Sequence, residues 1–195
     1  MNLMRCVLFL TFVAVLSMAQ SAQPTAPPNQ PEAMIRRLYK EVVARHPRGL
    51  LHDKDKEIFE PFLSKDLLRR INLARDCEAD WFRQHPNNSD LKPPDWGAKG
   101  LFSGGEAEAE PSDFHVDKTE AEKNGSFRTV VKLKWLEPPD EPSIWRVALI
   151  VKNENGHYVI DDVIYLHEPE VHLSEILSDG CDGPRWVGLG DKRFR

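Results

Sequence analysis

Apolar positions along this chain recur first at helical spacing and later in alternation, and the change falls near residue 112. Between Pro31 and His46, the residues Met34, Ile35, Leu38, Val42 and Val43 fall on one helical face, while Arg36, Arg37, Lys40 and Glu41 face away. Pro31 suits a first helical position, Glu32 sits in the first turn, and His46-Pro47 ends the pattern. Lys54–Phe62 reads as a short helical piece interrupted by Pro61. Ser64 is then a good N-cap for a longer helix with Asp66 near its start. Its stripe is Leu67, Ile71, Ala74, Cys77 and Trp81, and His85-Pro86 stops it.

From Ser112 the period becomes two. Phe114 and Val116 open a first strand, and Asn124-Gly125 signals a hairpin. Phe127, Thr129, Val131, Leu133 and Trp135 alternate with Arg128, Lys132 and Lys134 in a second strand. The run from Ile144 to Lys152 is nearly all apolar and reads as a central strand. Asn155-Gly156 signals another hairpin, and Tyr158–Leu166 is the last long strand. Helices followed by an antiparallel meander of four strands are the pattern of an α+β domain. Residues 86–112 form a long irregular segment rich in Pro and Gly that carries Trp96, Leu101 and Phe102. Loops of that length inside a compact domain are uncommon and often functional. Val171–Leu177 is a short helix candidate, followed by a Gly-rich coil holding Cys181 and Trp186.

The N-terminus adds a compartment. Met1–Arg5 carries one positive charge, Cys6–Met18 is an apolar run of roughly 13 residues, and Ala19-Gln20-Ser21-Ala22 supplies small residues. That layout is a secretory signal peptide, cleaved after Ala19 or Ala22. The run is shorter than the ~20 residues of a transmembrane helix, the alternative reading. Cys6 stands at the start of the apolar run, a poor place for lipidation. The chain therefore divides into a signal peptide (1–22), a linker (23–30), a single α+β domain (31–167) and a C-terminal extension (168–195). A secreted or periplasmic protein without a membrane span in its mature part is expected.

Charge and cysteines narrow the classes further. The chain carries 26 basic and 31 acidic residues, a formal charge of −5. Loss of Arg5 with the leader leaves 25 basic residues and −6. An acidic balance argues against nucleic acid and anionic membranes as partners. Export removes Cys6 and leaves Cys77 and Cys181, an even count in an oxidising compartment, which predicts one disulfide between them.

Signatures of catalysis are missing. The seven histidines show no zinc-motif spacing, and the chain has no CxxC, HExxH, GxSxG or P-loop pattern. No metal, cofactor or catalytic residue is assigned. The acidic run Glu106, Glu108 and Glu110 reads as a solvated loop. Asp161-Asp162 in the last strand is the sharpest polar feature. In a regular strand the two side chains point to opposite faces, so one is directed inward. An inward carboxylate in an apolar pocket is a general base, and one bonded to a backbone N–H, to Arg146 or to a Tyr is structural.

The stretch Trp145–Leu166 (WRVALIVKNENGHYVIDDVIYL) resembles the last hairpin of a family of exported bacterial proteins of unknown function with a nuclear-transport-factor-2-like, or cystatin-like, cone fold. Phe62-Leu63-Ser64, Asp95-Trp96 and Leu101-Phe102-Ser103-Gly104 extend the similarity over roughly residues 31–167. The resemblance implies N-terminal helices packed on a curved four-stranded antiparallel sheet, with a pocket at its wide end. The family has no established catalytic residues to transfer. The expectation is a noncatalytic binding module for a small apolar ligand in the cone or a partner protein on the sheet face. Trp96 or Phe102 would lie over the mouth, with the inward member of Asp161/Asp162 and Tyr165 inside. Two rivals stand beside it: a small lyase or isomerase using an inward aspartate as base, and an interaction protein such as an inhibitor of a secreted enzyme.

Overall fold

The computed structural model describes residues 30–86, 100–104, 110–136, 141–166 and 169–178. The leader, most of the linker, Trp96 and Cys181 lie outside the described residues. Helix α1 spans Pro31–Arg45, α2 spans Asp53–Phe59 and runs into a 3₁₀ turn at Glu60–Phe62, and α3 spans Lys65–Gln84. Strands β1 (Asp113–Ala121), β2 (Phe127–Trp135), β3 (Ser143–Glu154) and β4 (His157–Tyr165) follow. The chain closes with β5 (Val171–His172) and helix α4 (Leu173–Ser178). Among the described residues no helix is long and apolar enough to cross a membrane.

Local chemistry accounts for the element ends. The Ser64 hydroxyl accepts a hydrogen bond from the Leu67 N–H at 3.0 Å and so caps α3. Asp66 in the first turn takes guanidinium hydrogen bonds from Arg69 and Arg70, which hold its carboxyl down at about 2. Asn155 and Gly156 adopt φ of 55° and 86°, the two left-handed conformations of the tight β3–β4 turn. The β1–β2 turn differs: Gly125 alone is left-handed there, at φ 83°, and its N–H bonds to the Glu122 carbonyl at 3.1 Å.

All five strands pair antiparallel with their neighbours, in the order β1-β2-β3-β4-β5. The fold class expected from the pattern, helices before an antiparallel sheet, is the one observed. The expected count of four strands is not. β5 pairs Tyr165 with Val171 and Ile164 with His172, and two residues are too short for any alternation to register in a sequence. The segment set apart as a C-terminal extension also joins the core through Val171, Leu173 and Leu177.

Irregular register shifts interrupt the pairing at Val116/Lys118 and at Ile150/Val151. The second sits opposite Asp161, which has no partner between Ile160 and Asp162. This bulge resets the alternation of β4, so Ile160 and Val163, three apart, both belong to the core. One sheet face contributes Val131, Leu133, Val147, Leu149, Val151, Ile160 and Val163 to that core. The helices complete it with Ile35, Leu38, Tyr39, Phe59, Leu67 and Ile71.

Candidate functional site

A cleft of about 630 Å³ opens where the outer face of α1 meets the 3₁₀ turn and the tip of the β3–β4 hairpin. Helical spacing puts Gln30, Met34, Arg37, Glu41 and Arg45 along one stripe of α1, and that stripe forms the long wall. The opposite wall is Gly156, His157 and Tyr158, presented by the tight Asn155-Gly156 turn. The Tyr158 ring is propped edge-on by Phe127 at 5.7 Å. Met34, Ile58, Phe62 and Tyr158 give the cleft an apolar floor, while Arg37, Lys40 and Arg45 line its rim. Such a mixture and volume suit a small ligand held by apolar contact and a few polar groups.

The rim cations differ in their engagement. Arg45 is paired with Glu41 at 2.8 Å. The Arg37 guanidinium lies over the Phe62 ring, 5.6 Å from its centre. Neither Arg37 nor Lys40 forms an ion pair with another described residue.

The residues that stand out in the sequence lie elsewhere. Phe102 is fully buried and packs on Phe59, ring centres 5.2 Å apart. It belongs to the turn Gly100–Gly104, closed by hydrogen bonds from the Ser103 and Gly104 N–H groups to the Gly100 carbonyl. Three aromatic donors fix three successive carbonyls of this turn. Tyr165 donates to Leu101 at 2.9 Å, Tyr39 to Phe102 at 2.8 Å and Trp145 to Ser103 at 2.8 Å. Burial pushes the Tyr39 hydroxyl well above its ordinary range, and the Tyr165 charge state adds to this. Burial does the same for Tyr165, with the nearby Asp162 charge as a second cause. Both hydroxyls therefore remain protonated donors, and Phe102 and Tyr165 form part of the packed interior.

Asp161 and Asp162 part company at the β4 bulge. Asp161 is half-exposed and accepts from the Ser64 hydroxyl at 2.7 Å, with the Lys152 ammonium 2.6 Å from the same oxygen. Burial alone lowers the Lys152 pKa, but hydrogen bonds to Asp161 and Glu154 reverse this and leave it raised. Asp162 is 8% exposed. Its Oδ1 accepts from the Val163 and Ser174 N–H groups, each at 2.9 Å. Its Oδ2 accepts from the Ser174 hydroxyl and is hydrogen-bonded to His172 Nδ1, each at 2.8 Å. Two partners per oxygen occupy the lone pairs that a general base needs open toward its substrate. The carboxylate fastens the start of α4 and the end of β5 to β4.

Structure thus brings Asp162 and Tyr165 into proximity and buries Phe102 against Phe59, while Trp96 lies outside the described residues. The cleft is not legible in the sequence, because Met34, Ile58 and Phe62 follow the same apolar pattern as ordinary core residues. Arg37 and Lys40 stand on the face of α1 expected to meet solvent, and both are exposed. Their meeting with the hairpin tip is a tertiary fact. Among the described residues no group of three His, Cys, Asp or Glu side chains could hold a metal ion. Cys77 lies on α3, and Cys181, the disulfide partner expected for it from the sequence, lies outside the described residues. Comparison with protein-family models, with curated proteins and with solved structures finds no match to this chain.

Proposed function

We propose that this protein is an exported, noncatalytic binding module of the nuclear-transport-factor-2-like cone type, and that it holds a small ligand on the apolar floor of the α1–hairpin cleft. The cleft itself carries this reading: the half-buried Ile58 and Tyr158, with the edges of the mostly buried Met34 and Phe62, line a concavity of about 630 Å³. The order of elements, helices and then an antiparallel meander, supports the cone. The saturated hydrogen bonding of Asp162 supports a structural part for the carboxylate that a lyase or isomerase would use as base.

The test uses the neutral fluorophore N-phenyl-1-naphthylamine. Saturable binding at one site is expected, with a loss of roughly tenfold or more in Ile58→Glu, which places a charge on the floor. The variant should keep the wild-type circular dichroism spectrum, with a lowered Tm because Ile58 packs partly against the core. Absence of saturable binding, or an unchanged affinity in a folded Ile58→Glu protein, rejects the reading.

Export is tested on the product itself. Protein recovered from the periplasm or medium should begin after Ala19 or Ala22, and its non-reduced digest should contain one peptide pair linking Cys77 to Cys181. The bond closes a loop of about 104 residues, and replacing both cysteines by serine should lower stability by about 2–5 kcal/mol. A retained leader, or alkylation of both thiols before reduction, contradicts this.

A further inference from the structure

We infer that the ligand of this cleft is an amphiphile with an anionic oxygen head group, bound with its head at Arg37 and Lys40 and its apolar body on Met34, Ile58, Phe62 and Tyr158. This rests on the cleft being a binding site and adds the chemistry of what it binds.

The charges around the cleft do not balance. Arg37, Lys40 and Arg45 face a single lining carboxylate, Glu41, and that group is committed to Arg45 at 2.8 Å. Arg37 and Lys40 are left one turn apart on α1, at a spacing that brings like charges together. Such a pair weakens an isolated helix. An incoming anion converts that repulsion into two attractions. The rest of the molecule leans the other way, at −5 overall, so the two cations form a local exception at the mouth of an apolar cleft.

Geometry orders the two halves of the ligand. The Arg37 guanidinium rests on the Phe62 ring, which is itself part of the cleft wall. The charged group is thereby held at the border between floor and rim, with its N–H edge free for an anion. Lys40 lies on the exposed face beside it. Across the cleft, Tyr158 supplies an apolar ring and His157 an exposed imidazole at the hairpin tip. An apolar molecule without a head would leave the cations unused, and a simple inorganic anion would leave the floor uncovered. A carboxylate, sulfonate or phosphate carried on an alkyl or aromatic body satisfies both.

Two fluorophores that differ by one sulfonate separate this inference from the reading beneath it. N-phenyl-1-naphthylamine is neutral, and 8-anilino-1-naphthalenesulfonate is its anionic counterpart. The anionic probe should bind at least tenfold, in rough terms, more tightly to the full mature protein. The double substitution Arg37→Gln, Lys40→Gln should remove that advantage, so that the two probes bind the variant within about twofold of each other. Raising NaCl from about 20 to about 500 mM should weaken the anionic probe alone. Competition with dodecanoate and with dodecyl phosphate then ranks the two head groups, while dodecanol should displace the anionic probe poorly. Equal affinities for the two probes overturn the inference and leave the binding module standing. So does an anionic probe indifferent to the double substitution, or displaced equally by dodecanol. Failure of both probes to bind wild-type protein overturns the inference and the proposed function together.

Discussion

Gly104→Ala is expected to destabilise the protein by about 3–6 kcal/mol, through a left-handed backbone, a steric collision and a lost hydrogen bond at one site. Gly104 has φ 62°, and a Cβ built on it would lie 2.3 Å from Tyr165 Cδ1 and 2.9 Å from Cε1. A side chain in the left-handed region costs about 1–2 kcal/mol. Overpacking adds about 1–3 kcal/mol. The Tyr165 ring has little room to yield, because it is 6% exposed and its hydroxyl is bonded to the Leu101 carbonyl at 2.9 Å. Moving it sacrifices that hydrogen bond, about another 1 kcal/mol. Gly125→Ala is the control. Its φ is 83°, and nothing lies within 4 Å of its added Cβ, so only the backbone cost of about 1–2 kcal/mol applies. Urea unfolding of the two variants measures the difference. Equal losses, or a Gly104→Ala loss below about 1 kcal/mol, would show that the Gly100–Gly104 turn is not clamped as described.

Asp162→Ala should cost about 3–4 kcal/mol, whereas Asp161→Ala should cost about 1 kcal/mol or less. The two residues are adjacent and chemically identical, so the contrast isolates environment. Truncating Asp162 strips a partner from the Val163 and Ser174 N–H groups, the Ser174 hydroxyl and His172 Nδ1. The Val163 N–H lies where water enters poorly, since Val163 is fully buried and Asp162 is 8% exposed. Asp161 is half-exposed, and its loss leaves Ser64 still capping Leu67 and Lys152 still 3.1 Å from Glu154. Urea unfolding gives the energies, and amide exchange reports the local consequence. Protection should fall across Val171–Ser178 in Asp162→Ala and persist in Asp161→Ala. The reverse order of stabilities, or equal losses, would contradict the assignment of Asp162 as the clasp of α4.

Much of the scaffold is legible along the chain because its causes are local. Ser64 caps the helix it precedes, as its hydroxyl, Asp66 and the Leu67–Ile71–Ala74 stripe indicate. Asn155-Gly156 turns the chain because those two residues tolerate positive φ. The alternation Thr129, Val131, Leu133 marks the buried face of β2. The Asp161-Asp162 pair shows where local reasoning stops. Period two alone assigns the two carboxylates to opposite faces, and it carries no sign that a bulge intervenes opposite Ile150/Val151. Nor does it show that Ser174, twelve residues later, fills the coordination of Asp162.

Sequence by itself therefore determined the α+β class, the Ser64 cap of α3 and the hairpin turns of this chain, since each depends chiefly on residues close together along it. Tertiary structure decided the rest. It added the fifth strand, buried Phe102 within a turn held by Tyr39, Trp145 and Tyr165, and gathered Arg37, Phe62 and Tyr158 around one cleft. These features join groups separated by tens of residues, and a hydrogen bond or apolar contact between such groups exists only after the sheet and helices have set the distance between them.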